Sequence, residues 1–342
     1  MNEPRMRSSP EFDLIAAIRD RLGEAAGPGR DGVRIGIGDD AAVIAAADGS
    51  VRAVSIDAIV DGVAFRRRWC PPRAIGRKAA GAALSDLAAM GAEPAELYVW
   101  VGIPEDLDRD EALELSDGIA EVAERAGAAL LGGDLTASPV LAVAVTAIGT
   151  APDAERIVGR AGATAGDAVC VSGALGGAAA GLMLLEHPEL AAEVPDAAAA
   201  AARSRQLAPE PRLALGPELA AAGATAMIDV SDGLGAEAEH LAAASSVGLE
   251  IEVDRVPVAP GVAEVAAAAG RDPVELVVSG GEDYELLCAI PRARLGACLA
   301  AAQRCGIALT EIGRVAAGAS VRLRLPGGRS VRPGGHDHFR AP

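Results

Sequence analysis

Six short segments of this sequence end an apolar run in small residues and then a carboxylate. They are GIGDD (Asp39, Asp40), VSID (Asp57), ALSDLAAMG (Asp86), LLGGDLT (Asp134), AMIDVSDG (Asp229, Asp232) and VVSGGEDYE (Glu282, Asp283). One such segment is ordinary, because aspartate beside glycine is turn chemistry and aspartate ahead of a helix is an N-cap. Six are harder to assign to turns, since several follow apolar runs that belong in the interior, where a lone carboxylate is costly. Carboxylates that converge repel by roughly 1 kcal/mol per pair at 4 Å in water, and several times more at an effective dielectric of about 20. With a single lysine, Lys78, in the chain, divalent cations are the natural counter-charge. Oxygen-only ligation selects hard ions, Mg²⁺ or Mn²⁺ with phosphate, or Ca²⁺. The segment DVSDGLGAEAEH fails the calcium-loop pattern, which leaves magnesium carrying a polyphosphate as the better fit.

Phosphate needs donors, and the glycines at 132–133, 173–177 and 279–281 could bring backbone N–H groups close to oxygens, with Arg156 or Arg160 adding charge. No G-x-x-x-x-G-K-[ST] occurs, so this is not a P-loop protein. Gly36, Gly38 and Ala41, with Asp57 further on, satisfy the dinucleotide fingerprint, but an apolar run and an Asp-Gly turn follow instead of a long helix. That pattern is a hairpin. The HDH run, His336 to His338, reads as a tail, and no Ser/His or Cys/His nucleophile has local support.

The elements that would position these acids alternate between strand and helix patterns. Short strands at VRIGIG, AAVIAA and VRAVSID precede a helix over PRAIGRKAAGAALSDLAA; a strand AELYVWVGIP, a helix from Arg109 to Ala126 and strands at AALL–GGD and VLAVAVTAIG follow. A turn-rich stretch at 150–165 marks a boundary, so residues 1–150 are expected to form an N-terminal domain and 151–342 a C-terminal α/β domain. The second half repeats the alternation. The fold class is α/β, in α+β layers around sheets. At 342 residues and 51% hydrophobic, the chain can bury a large core; its net charge of -17 disfavours nucleic acid and anionic membranes as partners. The Arg66–Arg68 triplet reads as solvated surface, the five cysteines as reduced buried thiols, and the N-terminus lacks a secretory pattern, so a cytoplasmic location is expected.

In this order, GIGDDAAVI, IGRKAAGAALSDLAAMGAEP, AMIDVSDGL with AASSVGLEIEVDRVPV, and SGGEDYELL resemble the thiamine-monophosphate kinase family, within the superfamily of aminoimidazole ribonucleotide synthetase. The resemblance implies a two-domain homodimer, paired through the sheet of the N-terminal half, that transfers the γ-phosphoryl of ATP to thiamine monophosphate. It implies magnesium ligands at Asp40, Ser55, Ile56, Asp57, Asp86, Asp134, Asp229 and Asp232, with Asp57, Asp86 and Asp229 central to catalysis. Gly133, Asp134, Arg156 and Ser231 would contact ATP, while Ala64, Glu282 and His336 would face the acceptor. Asp39 is expected to support its turn. Departures lie on the acceptor side: Ala64 replaces an expected histidine, Leu135 and Ala137 a threonine and an arginine, Ala83 an asparagine, and His336 an aromatic residue. Two alternatives remain open, an ATP-dependent enzyme with another acceptor and a non-catalytic magnesium-nucleotide binder.

Overall fold

The computed structural model describes residues 10–23 and 31–336. Two mixed sheets organise the chain. The first holds β1 (Val33–Ile35), β2 (Ala42–Ala45), β3 (Val51–Val60), β4 (Glu93–Ile103), β5 (Ala129–Ala137) and β6 (Ala142–Ala151) in the order β1-β2-β3-β6-β4-β5. β2 and β3 pair antiparallel across the turn at 46–50, the hairpin that the dinucleotide fingerprint would have forbidden. The second sheet holds β7 (Ala168–Ser172), β8 (Ala226–Asp229), β9 (Gly248–Glu252), β10 (Leu286–Ile290), β11 (Leu309–Ala316), β12 (Val321–Arg324) and β13 (Ser330–Val331) in the order β13-β12-β9-β11-β7-β10-β8.

Helix α1 (Pro10–Leu22) precedes the first sheet, and α2 (Pro72–Ala89) with α3 (Arg109–Ala126) covers one of its faces. Among the described residues, no helix covers the other face. Strand β3 shows the asymmetry, since Ser55 is 5% exposed and its neighbour Ile56 71%, the period-two alternation of a sheet buried on one side. Edge strand β5 is exposed along its whole length.

Helix α2 joins the halves. Apolar or small on nearly all sides, it is buried almost throughout, as such a composition requires. It packs on β3, β6 and α3 and also touches β8, α5 (Asp196–Leu207) and α6 (Leu215–Ala222). Glycines permit these approaches: a Cβ at Gly76 would strike the Leu115 carbonyl of α3, one at Gly118 the Arg73 carbonyl of α2, and one at Gly216 the Ala88 carbonyl.

The second sheet is covered on both faces. One carries α4 (Gly177–Glu186), α5, α7 (Leu234–Ser245), α8 (Val262–Ala268) and α9 (Pro273–Ser279); the other carries α6 and α10 (Leu295–Arg304), whose Cys298 joins Cys170 and Cys288 of the sheet in one apolar cluster. All five cysteines are free, and Cys305 is half-buried rather than buried as expected. The short helices α6, α8 and α9 escape the sequence pattern, because seven or eight residues give too few turns for a helical period to show. Among the described residues, no helix is long and apolar enough to cross a membrane.

Candidate active site between the two sheets

Four elements deliver carboxylates to one place: the β1–β2 loop brings Asp40, β3 brings Asp57, α2 brings Asp86 and the end of β8 brings Asp229. One oxygen each from Asp40, Asp86 and Asp229 lies within 4.8 Å of the others. Asp57 shares the α2 side of β3 with Ser55, close enough for its charge to push up the carboxyls of both Asp86 and Asp229. Each acid is tied to its support. Ser55 Oγ donates to Asp86 Oδ2, and Ser85 Oγ donates to Asp229 Oδ2 at 2.6 Å.

The electrostatics are those of a site missing positive charge. Burial, followed by the charges of Asp229, Asp40 and Asp57, raises the Asp86 carboxyl well above its ordinary range. Asp229 is pushed up to about 7, first by burial and then by Asp40, with the Ser85 hydrogen bond and Arg160 working in the other direction. Asp40 is also raised by burial, although Arg160 Nη2 sits 2.5 Å from its Oδ1. Its second oxygen, Oδ2, is buried without a hydrogen-bond partner. Oxygen-only donors, mutual repulsion and a buried carboxylate oxygen without a partner fit a hard divalent cation.

Arg160, one of the two arginines expected to add charge, and Glu237, which no sequence motif marked, are neighbours of the cluster. Of the two candidate arginines, Arg160 lies among the acids, whereas Arg156 is exposed on the turn Ala154–Arg156. Asp39 supports its turn as expected, accepting from the N–H groups of Asp40 and Arg160. Glu237, 2% exposed in the first turn of α7, accepts from Ser231 Oγ at 3.2 Å and from the Asp232 N–H at 2.9 Å. An acid one turn after Ser-Asp-Gly was the available signal. Burial, with Asp232 and Asp229 nearby, raises its carboxyl well above the usual range. Phe12 of α1 stacks on His240 of α7 with ring centroids 3.7 Å apart, and Arg160 lies 5.6 Å from the Phe12 centroid, so α1 closes one flank of the cluster.

The adjacent acids Glu282 and Asp283 part ways. Glu282, at φ +66°, turns toward Lys78 Nζ at 2.8 Å and accepts from Gln206 Nε2 at 2.6 Å. Asp283 leaves the cluster and accepts from Gly176 N–H (2.5 Å) and Ala178 N–H (3.1 Å) at the start of α4, a structural cap. Lys78, near the middle of α2, and Glu282 thus mark a point eight residues before Asp86, about 12 Å along the axis.

Other expected residues are not drawn in. Asp134 stands opposite Trp100 in the β4–β5 ladder, on the open face of the first sheet, with Thr136 Oγ1 donating to it at 3.0 Å. Ile56 points to that same face. A Cβ at Gly133 would strike the Val99 carbonyl, so strand packing alone demands glycine there. Ala64 packs against the first core. His336 donates its backbone N–H to the Asp232 carbonyl at 2.9 Å, which places this exposed residue beside the Ser231–Asp232 turn. His338 lies outside the described residues.

This two-sheet architecture is that of AIR synthase-related proteins, whose N-terminal domain matches residues 38–151 and whose C-terminal domain matches 164–326. The thiamine-monophosphate kinase of Mycobacterium tuberculosis is 41% identical over 83% of this chain and 81% of its own. Within that class, the chain belongs to the thiamine-monophosphate kinase family. The solved structure of AaThiL complexed with AMPPCP and TMP is 32% identical, with a TM-score of 0.83 over 98% of this chain and 100% of that one. Thiamine-monophosphate kinase from Stenotrophomonas maltophilia K279a is 36% identical, with a TM-score of 0.74 over 94% of this chain and 98% of that one.

Proposed function

We propose that this chain transfers the γ-phosphoryl group of ATP to thiamine monophosphate, giving thiamine diphosphate, and that Asp40, Asp86 and Asp229, with Asp57 and Ser55 beside them, hold magnesium at the reacting phosphates. The observation that carries the residue assignment is the buried, mutually repelling carboxylate cluster with its orphaned Asp40 Oδ2. The relatives named thiamine-monophosphate kinase and the AaThiL complex with AMPPCP and TMP support the choice of substrates. Metal bound there supplies the charge that lets two polyanions approach and align.

The chain's own groups do the rest. The acceptor is already an anionic phosphate, so neither a strong base nor a covalent intermediate is required. Arg160 anchors Asp40 and fixes the first loop against the second half. Glu237 holds the Ser231–Asp232 turn, where Ser231 is assigned to the nucleotide and Asp232 to a further ion. Glu282, held in place by Lys78 and Gln206, faces the heterocyclic end of the acceptor, with His336 at the edge. The separation along α2 suits a molecule with its phosphate at the acids and its ring near Glu282.

Two copies joined over the open face would cover Ile56, which is 71% exposed, with Tyr98 and Trp100 beside it. That homodimer would enclose Asp134, leaving it, with Gly133 and Arg156, to serve nucleotide or metal from the interface. We assign residues 1–150 and 151–342 to the two domains, and a cytoplasmic setting is consistent with five free cysteines.

The deciding experiment incubates purified protein with magnesium, ATP and thiamine monophosphate. ADP and thiamine diphosphate should appear in equal amounts, and the absence of turnover at millimolar acceptor would defeat the proposal. Ala64 favours one second reading, a different phosphorylated acceptor, which ADP release across an acceptor panel would reveal.

A further inference from the structure

The Arg66–Arg68 triplet does not behave as uniform solvated surface. Arg67 pairs with Asp106 at 2.7 Å and Glu111 at 3.3 Å. Arg66 and Arg68 instead lie over the Trp69 ring, 5.4 and 5.1 Å from its centroid. Beside them opens a cleft of about 460 Å³, walled by Arg68 and Trp69 ahead of α2, by Leu184, Leu185 and Glu186 at the end of α4, and by Arg203 of α5.

Arg68 and Arg203 form no ion pair among the described residues, although the chain carries a net charge of -17. Elsewhere the pattern differs. Arg160, Arg205 and Arg212 each meet a buried carboxylate. Two guanidiniums left over on one cleft offer planar forks suited to an oxyanion. Stacking on Trp69 restrains Arg68 while leaving its N–H edges free. The leucines supply an apolar floor, and the volume falls within the range of small-molecule sites.

The cleft is separate from the acid cluster. Pro72, beside this loop, and Asp86 are fourteen positions apart on α2, about 21 Å along the helix axis. None of its walls belongs to the site assigned above.

We propose that this cleft is a second, non-catalytic site for a phosphorylated small molecule, its phosphate held between Arg68 and Arg203 and its apolar body on Leu184 and Leu185. The chain has two tryptophans, so Trp100→Phe leaves Trp69 as sole reporter. Titrations with inorganic pyrophosphate, AMP and thiamine diphosphate are run in a chelator, where the uncompensated acids repel phosphate and silence the catalytic site. Trp69 emission should change saturably below millimolar ligand, and AMP or thiamine diphosphate should bind more tightly than pyrophosphate. Whichever binds tighter identifies the ligand as nucleotide or reaction product. Arg68→Gln and Arg203→Ala should each weaken binding about 10-fold, as expected for a charge-assisted contact, with turnover at saturating substrates unchanged. The unmodified chain, followed by equilibrium dialysis, guards against damage from Trp100→Phe. No saturable binding at millimolar concentration, or unaltered affinity in both arginine variants, overturns the site. Equal affinity for pyrophosphate and the larger ligands overturns the role given to the leucines.

Discussion

Three carboxylates held within 4.8 Å store repulsion that protonation or metal must relieve. Asp229 makes this measurable. Its ordinary value is 3.8 and its folded value about 7, so between these the folded state keeps a proton that the unfolded chain has released. The stabilisation is therefore complete below the ordinary value and disappears as pH rises through about 7. Metal-free protein should accordingly melt at a higher temperature at about pH 6 than at about pH 8, with a smaller difference in Asp229→Asn and after saturation with magnesium. Calorimetry across that range checks it; the same dependence in Asp229→Asn would remove Asp229 from the account. Activity of Asp229→Asn should fall about 100-fold or more, in line with loss of a charge-stabilising group. Lys78 is the other case. It is buried against a Glu282 side chain that is 26% exposed, so Lys78→Met should cost about 2 kcal/mol, discounted for the water that Glu282 still sees. Adding Glu282→Gln should recover part of that loss in urea melts.

At the scale of elements, α2 sets the dimensions of the site. It carries Lys78 near its middle and Ser85 and Asp86 two turns later, and it can do so only because α3 lies against it through Gly76 and Gly118. Gly118→Ala would drive a methyl into the Arg73 carbonyl and should destabilise by about 1–3 kcal/mol. Because the shift acts on the helix that supplies Asp86, the KM for ATP should rise in the same variant. A change in stability with KM untouched would uncouple α3 packing from the site. The helices and strands around α2 were largely legible in the sequence, α3 to the residue, because long amphipathic periods and Gly or Pro stops are local signals. The short helices α6, α8 and α9 were not.

Across the whole molecule, one sheet is sheathed on both faces and the other on only one. An apolar open face bordered by a fully exposed edge strand invites pairing with a second copy. Light scattering should therefore give twice the 34.2 kDa of the chain, and Ile56→Asp should shift it toward monomer. A dimer that persists in Ile56→Asp would move the interface elsewhere.

By itself the sequence determined the alternation of elements, the hairpin at the first acidic loop, and that Asp40, Asp57, Asp86 and Asp229 end or line buried elements. Those features depend on residue type and spacing within one segment. Only the tertiary structure decided that Arg160 reaches Asp40, that Glu237 holds the Ser231–Asp232 turn, and that Glu282 and Asp283 serve different ends. It also decided that Asp134 faces away from the other acids. The partners in each case are brought together by chain path, which two adjacent residues of like chemistry do not reveal. A strand's alternation says that its faces differ, and the packing of α2 against one of them says which is the inside.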